Sequence, residues 1–196
     1  MDDLFQNRYR IPSNRLKGWD YSNDGLYFIT LVTAGRRQLF GKIRNGEMVL
    51  NEIGQFVYDA FFKSFEIRRE LSLDAFILMP DHLHAIIILD SMCRDARCRD
   101  AQCRDARPCV STTTTQPQLH RQPQSISSFV AGFKSSTVKI IDDWIDKNNI
   151  KMPKFNRNNP LWQSNYYDRI IRNETEYQNI YNYILENPLK WNNSEL

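Results

Sequence analysis

Apolar positions recur along this chain with two different periods, and the switches between them outline its elements. Tyr27 to Ala34 (YFITLVTA) is β-branched and aromatic and is followed by the polar pair Arg36-Arg37, which predicts a strand. Gly46 to Leu50 follows the turn signal Asn45-Gly46 and predicts a second, short strand. From Glu52 to Arg68 the period lengthens. Ile53, Val57, Phe61 and Phe65 return every fourth residue, the stripe of a helix packed on one side, with Asn51 placed to cap it. Leu73 to Met79 and His82 to Leu89 are again strand-like and are separated by Pro80-Asp81. They form either an antiparallel hairpin or one strand bent at the proline. Ser125 to Lys147 carries Ile126, Phe129, Val130, Phe133, Val138, Ile141 and Ile145 as the apolar positions of a long helix. Trp162 to Ile171 is aromatic and β-prone, and Thr175 to Asn187 predicts a last helix that Pro188 stops. Helices interleaved with strands, several of them antiparallel, define an α+β fold with helices on one or both faces of a sheet.

Between Asp90 and Gln124 both periods vanish. Cys93-Arg-Asp-Ala-Arg, Cys98-Arg-Asp-Ala-Gln and Cys103-Arg-Asp-Ala-Arg are tandem copies of one unit, followed by Pro108-Cys109, a threonine run and Gln/Pro. All four cysteines lie here, at spacings that lack the C-x2-C pairs typical of zinc sites. The expected organisation is a single domain over residues 1–196 with a flexible insertion at 91–124.

Composition narrows the class. The chain has 196 residues and 23.2 kDa, with 41% apolar and 25% charged residues, as in a globular protein. Its purely apolar runs, such as Ala85 to Leu89, are far short of the ~20 residues of a membrane span. The acidic start Met1-Asp2-Asp3-Leu4-Phe5 has no secretion-signal pattern, so no membrane association and a cytoplasmic location are expected. A net charge of +3 permits nucleic acid as a partner without arguing for it. Placement says more: Arg8, Arg10, Arg15, Lys17, Arg36 and Arg37 gather near the N-terminus among Tyr9 and Trp19, either a phosphate-gripping surface or a solvated face.

Two of the three histidines are His82 and His84. On a strand, residues i and i+2 share a face, so both imidazoles can aim at one point and begin a divalent-metal site. The alternative is a pair of surface or hydrogen-bonded histidines. In the last helix the apolar stripe is Tyr177, Ile180, Tyr181, Ile184 and Leu185. Tyr183 falls roughly 130° from its centre, and one turn on is Asn187, whose carboxamide oxygen can ligate a metal. Among the neighbouring tyrosines only Tyr183 has a polar companion at that offset. A solvent-facing tyrosine beside a helix-ending Asn-Pro is the plainer reading.

Met79-Pro80-Asp81-His82-Leu83-His84, running into a hydrophobic strand, resembles the His-hydrophobic-His motif of the HUH superfamily of single-strand nucleases. Tyr183-Ile184-Leu185-Glu186-Asn187-Pro188-Leu189-Lys190 is similar to a block of the REP-associated tyrosine transposases. Arg15 to Tyr21, Gly132 to Ser135 and Trp162 to Asn173 agree with the same family. The resemblance covers nearly the whole chain apart from the cysteine-rich segment. It departs from the related insertion-sequence transposases, which usually carry Gln where this chain has Asn187.

The resemblance implies a ferredoxin-like antiparallel sheet with helices, an HUH nuclease/transposase core. It implies Tyr183 as nucleophile, His82, His84 and Asn187 as ligands of a divalent metal (Mg or Mn), and a 5′-phosphotyrosine intermediate in cleavage and strand transfer. The substrate would be single-stranded or hairpin-forming DNA, and the protein nucleoid-associated in a bacterium, as a monomer or homodimer. Arg8, Arg10, Arg36, Arg37, Lys134, Arg169 and Arg172 are candidate phosphate contacts, chosen by charge and placement. A catalytically silent hairpin-binding protein and a phosphodiesterase using water are the competing functions. If the mechanism holds, the Tyr183 hydroxyl and the imidazoles lie about 4 to 8 Å apart, the gap that a metal and one phosphate bridge.

Overall fold

A computed structural model of the chain describes residues 19–90 and 124–191, together with the backbone of two short paired strands, β1 (Leu4–Phe5) and β2 (Arg8–Tyr9). The apolar run after Asn23 forms β3 (Gly25–Val32). A hairpin follows, β4 (Gly41–Arg44) and β5 (Glu47–Leu50), turned at Asn45 and Gly46, both with positive φ (53° and 79°). Helix α1 (Glu52–Ile67) starts where the Asn51 side chain accepts the Gly54 amide at 2.8 Å, as its capping position requires.

Strands β6 (Leu71–Leu78) and β7 (His82–Leu89) come next, joined by a tight turn in which the Met79 amide donates to the His82 carbonyl at 2.7 Å. Of the two readings of Pro80-Asp81, the hairpin is the one realised. Helix α2 (Ile126–Lys147) opens on a reciprocal cap between Ser125 and Ser128. Strand β8 (Tyr167–Ile171) and helix α3 (Glu174–Lys190) complete the described chain.

The four long strands form one fully antiparallel sheet in the order β6-β7-β3-β8. Leaving aside the β4–β5 hairpin, the sequence β3-α1-β6-β7-α2-β8 with that order is the ferredoxin-like arrangement. Its two faces are used differently. Tyr27, Ile29 and Leu31 of β3 and Leu83, Ala85, Ile87 and Leu89 of β7 meet Val57 and Phe61 of α1 and Phe129 and Phe133 of α2 in the main core. On the opposite face Ala75, Ile86 and Ile171 pack with Ile184 of α3, joined by Phe28, Ile77, Tyr177 and Ile180. Both histidines point to this second face.

Three expectations need correction. Pro188 does not stop the last helix, which runs on to Lys190. The missing proline N–H removes one bond in the final turn, and the Pro188 carbonyl still accepts the Trp191 amide at 3.4 Å. Leu185 is not part of the packed stripe and is 58% exposed. The buried line passes instead from Ile184 to Asn187, three residues on along the same side of the helix. Of the β-prone stretch from Trp162, only Tyr167–Ile171 is strand. Trp162 makes a single bridge to Thr33, and its indole donates to Thr137 Oγ1 at 2.9 Å inside the core.

Candidate active site

Strand alternation puts His82 and His84 on one face of β7 with ring centroids 4.6 Å apart, 8% and 5% exposed. Each has its Nδ1 engaged. His84 Nδ1 meets Thr30 Oγ1 at 2.8 Å, from the residue directly opposite on β3. His82 Nδ1 bonds the Asp81 carboxylate, whose other oxygen lies 3.6 Å from the Arg36 guanidinium. Phe28, two residues before Thr30, stacks on His84 at 5.3 Å. Burial, and secondarily the neighbouring His82, pushes the His84 pKa down to about 3, so the ring is neutral at physiological pH.

Helix α3 supplies the other side. The Tyr183 hydroxyl stands 3.2 Å from His84 Nε2, across 99 residues of sequence. Ile184, at 1% exposure, anchors the helix on the sheet, whereas Tyr183 beside it is 46% exposed. Two turns later the Trp191 ring lies 5.8 Å from His82. Asn187, midway between these contacts along the helix, is 8% exposed. The phenol and the imidazole pair are thus brought together, and the buried Asn187 lies one helical turn from Tyr183. The hydroxyl is nearer than the expected 4 to 8 Å. It touches the imidazole directly, with no room for a phosphate between them.

Among the described residues no group of three or more His, Cys, Asp or Glu side chains could hold a metal. The fit of a divalent ion therefore depends on the two imidazoles with Asn187. Their surroundings suit that role: metal-ligating histidines usually give one ring nitrogen to a carboxylate or other oxygen and keep the second for the ion. Asp81 and Thr30 leave both Nε2 atoms available in this way. His84 has a lone pair on Nε2 when its Nδ1–H donates to Thr30, and Tyr183 then donates its hydroxyl proton to that nitrogen.

The candidate phosphate contacts divide. Arg36 is exposed beside Asp81 at the edge of the site. Arg169 pairs with Glu176 at 2.5 Å yet keeps a side chain 68% exposed, and Arg172 is exposed with its amide on the same carboxylate at 3.0 Å. Arg37 is half-buried and committed to Ala34, Asn159 and Pro160. The Lys134 ammonium donates to the Gln163 and Asn165 carbonyls at 2.6 and 3.1 Å, pinning the loop before β8. The side chains of Arg8 and Arg10, and residues 91–123 with all four cysteines, lie outside the described residues.

Sequence reasoning assigned no role to Thr30, Asp81, Phe28 or Trp191. The available signals were slight: a single polar residue inside YFITLV, and an aspartate next to the first histidine.

The order of strands and helices in this chain is similar to the fold of a REP-associated tyrosine transposase. A transposase of this kind, solved bound to a REP hairpin, superposes with a TM-score of 0.51 and 18% identity over 91% of this chain and 74% of that one. An uncharacterized protein of Haemophilus influenzae is 33% identical over 184 residues, 94% of this chain and 91% of the relative. The chain belongs to one family with this Haemophilus protein. No family model matches the sequence.

Proposed function

We propose that the protein cleaves and rejoins single-stranded DNA beside hairpin-forming repeats, with Tyr183 as nucleophile. The observation that carries this reading is the hydroxyl of Tyr183 meeting His84 at 3.2 Å from the far end of the chain. A tyrosine held at a metal-type imidazole pair has no evident structural purpose there, since Ile184 already anchors the helix.

The phenolic oxygen attacks the scissile phosphorus, the P–O3′ bond breaks, and a 5′-phosphotyrosine and a free 3′-hydroxyl result. The phenol releases its proton, and the departing 3′-oxygen takes one up. The phosphotyrosine bond conserves the energy of the phosphodiester, so a second 3′-hydroxyl reverses the step without ATP. A free phenol, with its pKa near 10, is a weak nucleophile at neutral pH, and the site has to compensate. His82, His84 and Asn187 would hold Mg or Mn, whose Lewis acidity stabilises charge on the phosphoryl oxygens. Asp81 and Thr30 fix the rings that do so. Arg36, at the edge of the site, is placed to draw the strand in. The REP hairpin bound by the structural neighbour supports hairpin DNA as the substrate.

The test is incubation with a hairpin oligonucleotide carrying a single-stranded flank, in Mg or Mn. A covalent protein–DNA adduct mapping to Tyr183 is expected, absent in Tyr183→Phe. Replacing His82 or His84 with Ala is expected to abolish the adduct and spare most hairpin binding. Cutting by Tyr183→Phe would mean that water is the nucleophile. Binding without an adduct in any metal would mean a silent hairpin-binding protein.

A further inference from the structure

Helix α3 covers the site face unevenly. It packs on β5, β6 and β7, and its buried side chains reach Ala75, Ile86 and Ile171. Toward the outer edge, where β8 ends the sheet, the same face opens. The register defines what lies there. Thr30 pairs with His84 on one side and with Tyr167 on the other, so the three side chains form one row across the strands on a single face. Tyr167 is 52% exposed, and the next residue outward on the same face is Arg169. Two strand spacings of about 4.8 Å place the Tyr167 backbone about 10 Å from that of His84. Tyr183, half-exposed, borders the opening from the helix side.

We propose that this open strip is the binding site for an unpaired nucleotide next to the scissile phosphate, with Tyr167 as the platform on which its base stacks. The inference rests on the reading of a nucleic-acid strand as substrate and adds where that strand lies. The neighbouring aromatics do not serve. Trp162 is buried on Thr137, and Tyr166, one residue away on β8's approach, is half-buried with Lys134 over its ring at 5.8 Å. An exposed aromatic beside a guanidinium that stays 68% exposed while its Nε pairs with Glu176 complements a base and its phosphate, and neither group needs a particular base. The strip therefore binds a single strand with little sequence preference, leaving recognition of the hairpin to other surfaces. Its position makes the nucleotide it holds a neighbour of the phosphate that Tyr183 reaches.

The experiment compares binding of the full chain to two probes, a hairpin with a short single-stranded tail (5′ or 3′) and the same hairpin blunt-ended. Tyr167→Ala is expected to weaken binding of one tailed hairpin about ten- to a hundredfold and leave the blunt hairpin unchanged. Tyr167→Phe, which keeps the ring, is expected to match the wild type. A 2-aminopurine placed in the tail beside the hairpin foot is expected to be quenched by the wild type and Tyr167→Phe, and not by Tyr167→Ala. Equal weakening of both probes, a phenylalanine variant as poor as the alanine variant, or no change in tail binding would each overturn the proposal. If the wild type grips the tail through Tyr167 but never forms an adduct, the strip stands and the strand-transfer reading falls. If it binds neither probe, both fall.

Discussion

Thr30→Val tests whether the hydroxyl opposite His84 sets that ring for ligation or merely fills space. Valine has nearly the shape of threonine and is equally at home in a strand, so β3 and its register persist. What disappears is the 2.8 Å contact to His84 Nδ1. Its net worth is about 1 kcal/mol, and ~1–3 kcal/mol if the nitrogen of this 5% exposed ring finds no other partner. For a chain of this size that lowers the melting temperature by roughly 3–9 °C. The functional effect is separate. Without a partner on Nδ1 the proton is free to settle on Nε2, and losses of this kind typically reduce metal affinity about 10–100-fold. Calorimetric titration with Mn against the chelated protein is expected to show that loss, and Thr30→Ser to recover most of it. Nitrogen-15 spectra of the imidazoles are expected to show the tautomer shift directly. A valine variant with wild-type Mn affinity, however much its melting point falls, would refute the argument.

Acid is expected to destabilise the chelated protein through His84. Its folded pKa of about 3 lies below the unfolded value of 6.5, so between these limits only the unfolded chain takes up the proton. Stability is therefore full above pH 6.5 and falls as the pH drops toward 3, by at most about 1.4 kcal/mol per unit. Denaturant melts across that window are expected to show this slope, reduced in His84→Gln; equal slopes would count against it. Gly46→Ala is expected to cost about 1–2 kcal/mol from the φ of 79° alone. The new methyl would also stand 2.7 Å from Leu189 Cδ2, so hydrogen exchange in the last turns of α3 is expected to rise, and an unchanged exchange pattern would refute that coupling.

The elements legible in the sequence are those whose pattern has one physical solution. The fourfold recurrence from Ile53 to Phe65 is a helix stripe and little else, and Asn51 caps it where a side-chain acceptor meets free amides. His82 and His84 were readable as a pair because a strand's period of two is enforced by the backbone. The meeting of Tyr183 with His84 was accessible only through family resemblance, since helical geometry gives the direction of a side chain but not the sheet it faces. Thr30 and Tyr167 show the remaining limit: their places follow from pairings of β3 with β7 and β8, contacts between distant segments that no local pattern encodes. Strand β4 and the final turn of α3 were missed because their local preferences are weak or contrary, and packing against neighbours decides them.

The direct contact of Tyr183 with His84 has a further consequence: the hydroxyl occupies the lone pair that a metal would need. The two ligands of Nε2 compete, and the contest is unequal. A hydrogen bond of 3.2 Å to a half-exposed phenol is worth about 1 kcal/mol, whereas an ion bound even at millimolar concentration gains about 4 kcal/mol. Metal binding is thus expected to release the phenol, and Ile184 keeps the released side chain near the centre by holding its helix on the sheet. Tyr183→Phe removes the competitor without touching any ligand, so Mn affinity is expected to rise, by up to about fivefold, the equivalent of 1 kcal/mol. A fall in affinity in the phenylalanine variant would mean that the tyrosine itself helps to hold the ion, and the separation drawn here between nucleophile and ligands would then be wrong.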